Sequence, residues 1–146
     1  MQDTFFTSKQ AAQITGCTLR QLQYWREKGI IIPVISDAGT GRSIYYSKRN
    51  LFELAVMVHL LSCGLNFDVA SQTLASLRDK ESDALKSNYN KRFMLVQLDI
   101  GNSVKNKISQ KFSLVEFDKE KAIILLEQGK LVIPVWLDVI CGKVNV

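Results

Sequence analysis

The fold of the first half of the chain is decided by the stretch TSKQAAQITGCTLRQLQYWREKG, residues 7–29. Thr7 and Thr18 are each followed three positions later by a glutamine, which is the spacing of a capping box at the start of a helix. Gly16 lies between the two segments, where a helix can end in a residue that tolerates positive φ. The pattern therefore predicts two short helices joined by a tight turn, the arrangement of a helix-turn-helix.

The second of these helices, residues 18–28, has two different sides. On a wheel of about 100° per residue, Leu22 and Trp25 fall on one side. The other side carries a polar set: Arg20, Gln21, Gln23, Tyr24, Glu27 and Lys28. Glu27 is the single acidic residue of this set. A side that only faces solvent usually carries more equal numbers of acidic and basic residues, because pairs of opposite charge at i,i+4 support a helix. Arginine and glutamine can also form bidentate bonds with guanine and adenine edges in the major groove.

The segment that follows predicts a β-hairpin. β-Branched and aromatic residues occupy 30–36 and 43–46, and the glycine-containing DAGTGR between them suits a turn. Pro33 cannot donate a ladder hydrogen bond, which fits an edge strand. A hairpin directly after a helix-turn-helix is a wing, and we place it at residues 33–46 with Arg42 in its turn.

Positive charge is concentrated in the same region. The net charge is +5, and residues 1–50 hold seven Lys or Arg against three Asp or Glu, whereas the remainder holds twelve against eleven. A localised basic surface favours polyanionic partners through counterion release. Taken alone, the polar side of helix 18–28 could be a solvent face without a partner. The caps, the wing and the charge together favour DNA binding.

The predicted fold class is α+β. Ser47 caps a helix over residues 48–63, in which apolar residues recur every three or four positions. Asn66 caps a shorter helix. We assign residues 1–77 to a winged helix-turn-helix DNA-binding domain and residues 78–91 to a polar linker. Residues 92–146 then form a small β-β-α-β unit, an α+β domain for dimerisation or effector binding.

These residues resemble a known family over about half of the chain, residues 5–77. The order and spacing of TSKQAAQITGCTLRQLQYWREKGIIIP, GTGRSIYYS and NLFELAVMVHLLSCGLNFDVASQTL are similar to the winged helix-turn-helix of MerR-type transcriptional regulators. The resemblance implies that helix 18–28 enters the major groove. It also implies that Arg42 and Tyr46 on the wing hold the flanking DNA backbone.

The expected DNA-contacting set combines the outer side of helix 18–28 with the wing. Its members are Thr18, Arg20, Gln21, Gln23, Tyr24, Lys28, Arg42, Tyr45 and Tyr46. Two positions depart from the family pattern. Gln23 stands where a phosphate-binding arginine is common, and Ile44 where a wing arginine is frequent, so each removes one potential phosphate contact.

The function expected from these features is sequence-specific binding of double-stranded DNA by a cytoplasmic transcriptional regulator. It would act as a homodimer through its C-terminal region, with RNA polymerase as a further candidate partner. Two alternatives stay open: an accessory module that keeps the fold but binds a protein, and a sensor with a small molecule in the C-terminal domain. The aromatic residues there could line a pocket or form a core: Phe93, Phe112, Phe117 and Trp136.

Other functions lack support in the sequence. No apolar run is long enough for a membrane span, and no phosphate loop, nucleophile–base pair or paired carboxylates are visible. We therefore expect no catalysis, no cofactor and no membrane partner. The cysteines fit neither a disulfide framework nor a zinc site, with Cys17 expected as a helix staple and Cys63 as core. His59 is expected to be structural.

Overall fold

The computed structural model describes residues 4–36, 43–80, 91–98, 107–108 and 111–144. The first half of the chain contains β1 (Phe5–Thr7), α1 (Ser8–Thr15), α2 (Leu19–Glu27), β2 (Val34–Ser36), β3 (Ser43–Ser47), α3 (Lys48–Ser62) and α4 (Phe67–Lys80). The second half contains β4 (Arg92–Gln97), β5 (Lys107–Ile108), β6 (Phe112–Glu116), α5 (Lys119–Glu127), β7 (Val132–Trp136) and α6 (Leu137–Gly142). The protein is therefore of the α+β class, as predicted.

Both predicted capping boxes are present. The Thr7 hydroxyl accepts a bond from the Gln10 N–H at 3.2 Å, and the Gln10 side chain accepts from the Thr7 N–H at 2.9 Å. Thr18 and Gln21 repeat the pair at 3.0 and 2.9 Å. Gly16 adopts a φ of 84° and ends α1 between the two caps. The predicted helix-turn-helix is confirmed.

A three-stranded antiparallel sheet accompanies these helices, with β3 in its centre. Phe6 of β1 lies opposite Tyr46, and Ser36 of β2 lies opposite Ser43. Strand β1 was not predicted from the sequence, since its three residues are too few to show an alternating pattern.

Strand β2 begins at Val34, four residues later than predicted. The carbonyl of Ile30 accepts a hydrogen bond from the Arg78 side chain, and the carbonyl of Ile32 accepts one from the Asn50 side chain. Neither carbonyl therefore needs a strand partner. Ile31 between them is buried in the core. Side-chain bonds from α3 and α4 therefore replace strand pairing over this segment.

Helix α3 is the most deeply buried helix of the first half. The Ser47 side chain caps it by accepting from the Asn50 N–H at 3.1 Å, and Leu51, Leu54 and Leu60 are fully buried. The prediction that Cys63 is a core residue is wrong: it follows the last helical residue and is exposed. No described helix is long and apolar enough to cross a membrane.

The second half forms a four-stranded antiparallel sheet in the order β5-β6-β4-β7. Helix α5 connects β6 to β7, and α6 follows β7. The predicted β-β-α-β order thus lacked two elements, β5 and α6, which are too short to show a period. Pro134 lies within edge strand β7 opposite Met94, a position where the missing N–H is tolerated.

One apolar cluster joins the two halves. It includes Leu54 of α3, Leu95 of β4 and Leu137 of α6, all fully buried. His59 supports the junction, since its Nε2 lies 2.8 Å from the Pro134 carbonyl. Helix α4 runs past the predicted domain boundary at residue 77, and residues 81–90 of the predicted linker lie outside the described residues. The division at 77 and 92 stays a prediction.

Candidate nucleic-acid interface

The orientation of α2 is set by two apolar residues on its inner side. Leu22 and Trp25 are each 2% exposed and lie in the main core. The carbonyl of Trp25 also accepts the N–H of Ile30 at 2.9 Å, beyond the end of the helix. The predicted anchor is confirmed, and it directs the polar side of α2 to the surface.

The N-terminus of α2 combines a cap with unused donors. The Thr18 hydroxyl oxygen and the Gln21 amide oxygen are both engaged in the capping box. The Thr18 hydroxyl proton and the Gln21 Nε2 are not used by those bonds, and the first N–H groups of a helix have no intrahelical acceptor. These donors lie at the exposed N-terminal end of α2, where the helix dipole favours the binding of a negatively charged group.

Two basic side chains of α2 are exposed. Arg20 lies in the first turn and Lys28 follows the last helical residue. Neither forms an ion pair with a residue in the described part of the chain. The Lys28 Nζ instead lies 5.6 Å from the centre of the Tyr24 ring, a cation–π distance. Both cations are therefore available to an anionic partner.

Tyr24 is held in place from the neighbouring helix. Its ring is 42% exposed and meets Phe67 edge-on, with centroids 5.0 Å apart and planes at 63°. Such a contact restricts the ring and leaves the hydroxyl free for a polar partner. Phe67 was missed by the sequence analysis, because nothing in the sequence pairs residues 43 positions apart.

Gln23 and Glu27 form a pair along the outer side of α2. The Gln23 Nε2 donates to the Glu27 Oε1 at 3.1 Å, and both residues are exposed. The family position usually held by arginine thus carries a neutral amide whose donor already has an acceptor. Gln23 retains its second amide N–H as a donor and its carbonyl oxygen as an acceptor toward a partner.

The predicted wing residues differ in their placement. Tyr45 is half-buried on central strand β3, whereas Tyr46 points to the opposite side and is fully buried. The prediction that Tyr46 contacts DNA is wrong, because this side chain belongs to the core and its hydroxyl lies 3.4 Å from Nη1 of Arg26. Arg42 lies outside the described residues.

An ion pair behind the interface holds the segment that follows α2. The Arg78 Nε lies 2.7 Å from the Glu53 carboxylate, and its Nη2 donates to the Ile30 carbonyl at 2.6 Å. The Glu53 side chain is only 6% exposed and that of Arg78 31%. A single acid within the apolar run LFELAV is a sequence signal for such a pair. Its partner, 25 residues away, could not be identified.

The turn between α1 and α2 contains an unreactive cysteine. The Cys17 Sγ lies 3.0 Å from the Thr15 hydroxyl, and both residues are buried. Burial raises the pKa of the Cys17 thiol above its usual value. The thiol therefore stays protonated at neutral pH and acts as a small apolar side chain, in agreement with the predicted staple.

The predicted aromatic residues of the second half are buried or half-buried. Phe93 and Phe112 are buried, which agrees with a core role. Phe117 meets Trp136 edge-on at 5.2 Å, and the Arg92 guanidinium lies 4.2 Å from the Trp136 ring. The indole N–H of Trp136 is buried without a hydrogen-bond partner in the described part of the chain.

The exposed basic side of α2, its capped N-terminus and its apolar anchor define a helix-turn-helix protein of the DNA-binding class. Comparison with known proteins supports this class. Residues 6–77 match the model of the MerR HTH family regulatory proteins. Through this half the chain belongs to the MerR family, as the sequence resemblance indicated.

Three curated relatives match about half of the chain. They are uncharacterized HTH-type transcriptional regulators of Mycobacterium bovis and of two Mycobacterium tuberculosis strains, each 34% identical over 71 residues. The alignments cover 48% of this chain and 32% of each relative, so the chain spans about a third of the length of these proteins.

Proposed function

We propose that the chain is a transcriptional regulator that binds specific double-stranded DNA sequences as a homodimer, with α2 in the major groove. The observation that carries this proposal is the outer side of α2, where Arg20 and Lys28 are exposed without an acidic partner in the described ranges. A buried anchor at Leu22 and Trp25 fixes the direction of that side. Family membership supports the same function.

Each side chain of α2 has a distinct role in this proposal. Arg20, in the first turn, reaches a guanine edge, since the N-terminal residues of a recognition helix contact the bases. Gln21 offers its free Nε2 to a base or phosphate acceptor. Tyr24, held by Phe67, directs its hydroxyl to a phosphate, and Lys28 neutralises another.

Strands β2 and β3 form the wing in this proposal. Tyr45 lies on the side of β3 opposite the core and is half-exposed, which suits a backbone contact. Arg42 belongs to the wing on the strength of the family resemblance. Phosphate contacts from a wing fix the register on DNA without carrying sequence information.

The test is a selection of bound sequences from a random duplex pool with the full chain, followed by titration of the selected site at several salt concentrations. We expect a negative slope of log K against log salt, of roughly one unit per neutralised phosphate. If no sequence is enriched and the slope of log K against log salt is flat, DNA binding is rejected and the accessory-protein alternative is favoured.

A second candidate function, small-molecule sensing, is favoured by one observation. Cavities of about 110 and 90 Å³ are both lined by His59, and the smaller is also lined by Trp136, whose indole N–H lacks a described partner. A buried unpaired donor is costly unless a ligand or water satisfies it. Thermal-shift screening of small carboxylates tests this function, with Trp136→Phe as the control that removes the donor.

A further inference from the structure

Helix α5 leaves most of its apolar side chains uncovered. Within the helix only Ala122 is buried, packed against the second sheet. The large aliphatic side chains that stay about half exposed in this region are Ile123 (46%), Ile124 (55%), Leu126 (55%) and Leu131 (55%). Such a concentration, unlike single scattered apolar residues, marks an interaction surface.

The charges on this surface have a two-fold pattern. Lys119, Ile123 and Glu127 occupy positions i, i+4 and i+8, so they form one exposed stripe along the helix. Lysine and glutamate lie at equal distances from the isoleucine, and neither forms an ion pair with another residue in the described ranges. A second copy of the stripe, turned by 180° about the isoleucine, places lysine opposite glutamate at both ends.

The same charges are unfavourable within one chain. Lys119 is the first residue of α5 and Glu127 the last. A cation near a helix N-terminus and an anion near its C-terminus both oppose the helix dipole. Asp118 and Glu120 already complement the N-terminal end of the dipole. Lys119 and Glu127 add nothing to that stabilisation, which leaves their charges for a partner outside the chain.

We propose that α5 pairs antiparallel with α5 of a second copy of this chain, with Ile123 meeting Ile123 at the two-fold axis. Lys119 then lies opposite Glu127 of the second copy, and the reverse pair forms at the other end. The inference rests on the proposed function only for the homodimer, to which it assigns an interface, and it does not depend on which DNA sequence is bound.

The net charge of the surrounding segment favours self-association over other partners. Residues 118–130 contain three lysines and three acidic residues, so their formal charge is zero. Neither a polyanion nor a strongly basic surface is attracted to a neutral segment. A reversed copy of the same helix, however, matches its local charges at both ends.

The length of the helix limits the strength of this interface. Nine residues span roughly 13.5 Å, and stable interfaces usually bury about 800 Å² on each partner. We therefore expect a dimer that forms at micromolar concentration in solution. Paired half-sites on DNA raise the effective concentration of the two copies and strengthen it.

Charge reversal in the full chain tests the pairing. Lys119→Glu places two glutamates opposite each other at both ends, and Glu127→Lys places two lysines there. Each single variant should raise the dimer dissociation constant about tenfold or more, measured by sedimentation velocity at low ionic strength. Both substitutions agree with the helix dipole, so an unfolded α5 does not explain such a loss.

The two variants together provide the decisive result. An equimolar mixture of Lys119→Glu and Glu127→Lys restores both ion pairs and should form a heterodimer, and the double variant in one chain should form a homodimer like the original. Dimerisation of the single variants at the original concentration, or failure of the mixture to associate, would overturn the proposal.

Ile123→Lys and Val139→Lys form a matched pair for the apolar centre. The two positions are 46% and 47% exposed, on α5 and α6 respectively. The first should abolish dimerisation and the second should leave it unchanged; equal effects would contradict an axis at Ile123. Binding of each variant to a single selected half-site separates this inference from the proposed function, because a monomer with an intact α2 should still bind it.

Discussion

Replacing Glu53 by glutamine perturbs the ion pair that holds the chain behind α2. The carboxylate is 6% exposed and accepts a bond from Arg78 at 2.7 Å, while the same guanidinium donates to the Ile30 carbonyl at 2.6 Å. Glutamine retains the shape and an acceptor oxygen but removes the charge. The variant therefore separates the ionic part of the contact from its packing.

The expected loss of stability follows from the geometry. Hydrogen bonds to charged groups contribute about 1.5–3 kcal/mol and neutral ones about 0.5–1.5, a difference of about 1–1.5 kcal/mol. Arg78 is 31% exposed, so solvent screens part of this difference. We expect Glu53→Gln to lower the free energy of unfolding by about 1 kcal/mol.

Removing the other partner should cost more. Among the described residues, Arg78→Met leaves the nearly buried Glu53 carboxylate with only the Arg49 Nε, 3.9 Å away, and an uncompensated buried charge costs about 3 kcal/mol. It also leaves the Ile30 carbonyl without its donor. The double variant should lose less stability than the sum of the single losses, because no unpaired carboxylate remains.

Urea unfolding followed by tryptophan fluorescence measures these differences, since Trp25 lies in the same core. For a chain of this size 1 kcal/mol corresponds to roughly 2–4 °C in Tm. Asp138→Asn, at an exposed ion pair, serves as the control and should change the stability little. Strictly additive losses from the Glu53 and Arg78 substitutions would refute the reasoning.

Three further outcomes are expected. Arg20→Ala should weaken binding to a selected site by about 1–3 kcal/mol in a titration, whereas Lys143→Ala, directly after α6, should leave it unchanged; equal losses would contradict a base-reading role. At pH 8 a thiol reagent should label exposed Cys63 first, because burial raises the pKa of Cys141 to about 12; equal labelling rates in the folded protein would refute this. The hydrogen bond from Arg92 lowers the folded-state pKa of the Asp138 carboxyl below its usual range. The small stabilisation from that exposed pair is therefore fully present above the unfolded-state pKa and is lost as the pH falls through the lower folded-state pKa, a loss that acid titration of Asp138→Asn should not show.

Interactions between residues close in sequence were predictable. The capping boxes at Thr7 and Thr18 link side chains to backbone groups three residues away, so their residue types and spacing identify them. The inner side of α2 follows from the helical period, which places Leu22 and Trp25 together. The helix-turn-helix, and with it the family, could therefore be recognised without a structure.

The strand residues show where such reasoning stops. Tyr45 and Tyr46 are adjacent and chemically alike, and alternation along a strand requires only that they point to opposite sides. Which side is buried depends on how β3 packs against α1 and α3. The sequence predicts both tyrosines at the DNA surface, whereas in the structure Tyr45 is half-exposed and Tyr46 is buried.

The amino-acid sequence by itself determined the caps, the anchor and the basic outer side of α2, because these depend on local hydrogen bonds and on helical periodicity. Only the tertiary structure decided that Phe67 holds Tyr24, that Arg78 and Glu53 hold the segment after α2, and that α5 keeps its aliphatic side chains exposed. These features depend on which distant segments meet. The free energy of such contacts comes from burial and pairing across the fold, which no local pattern records.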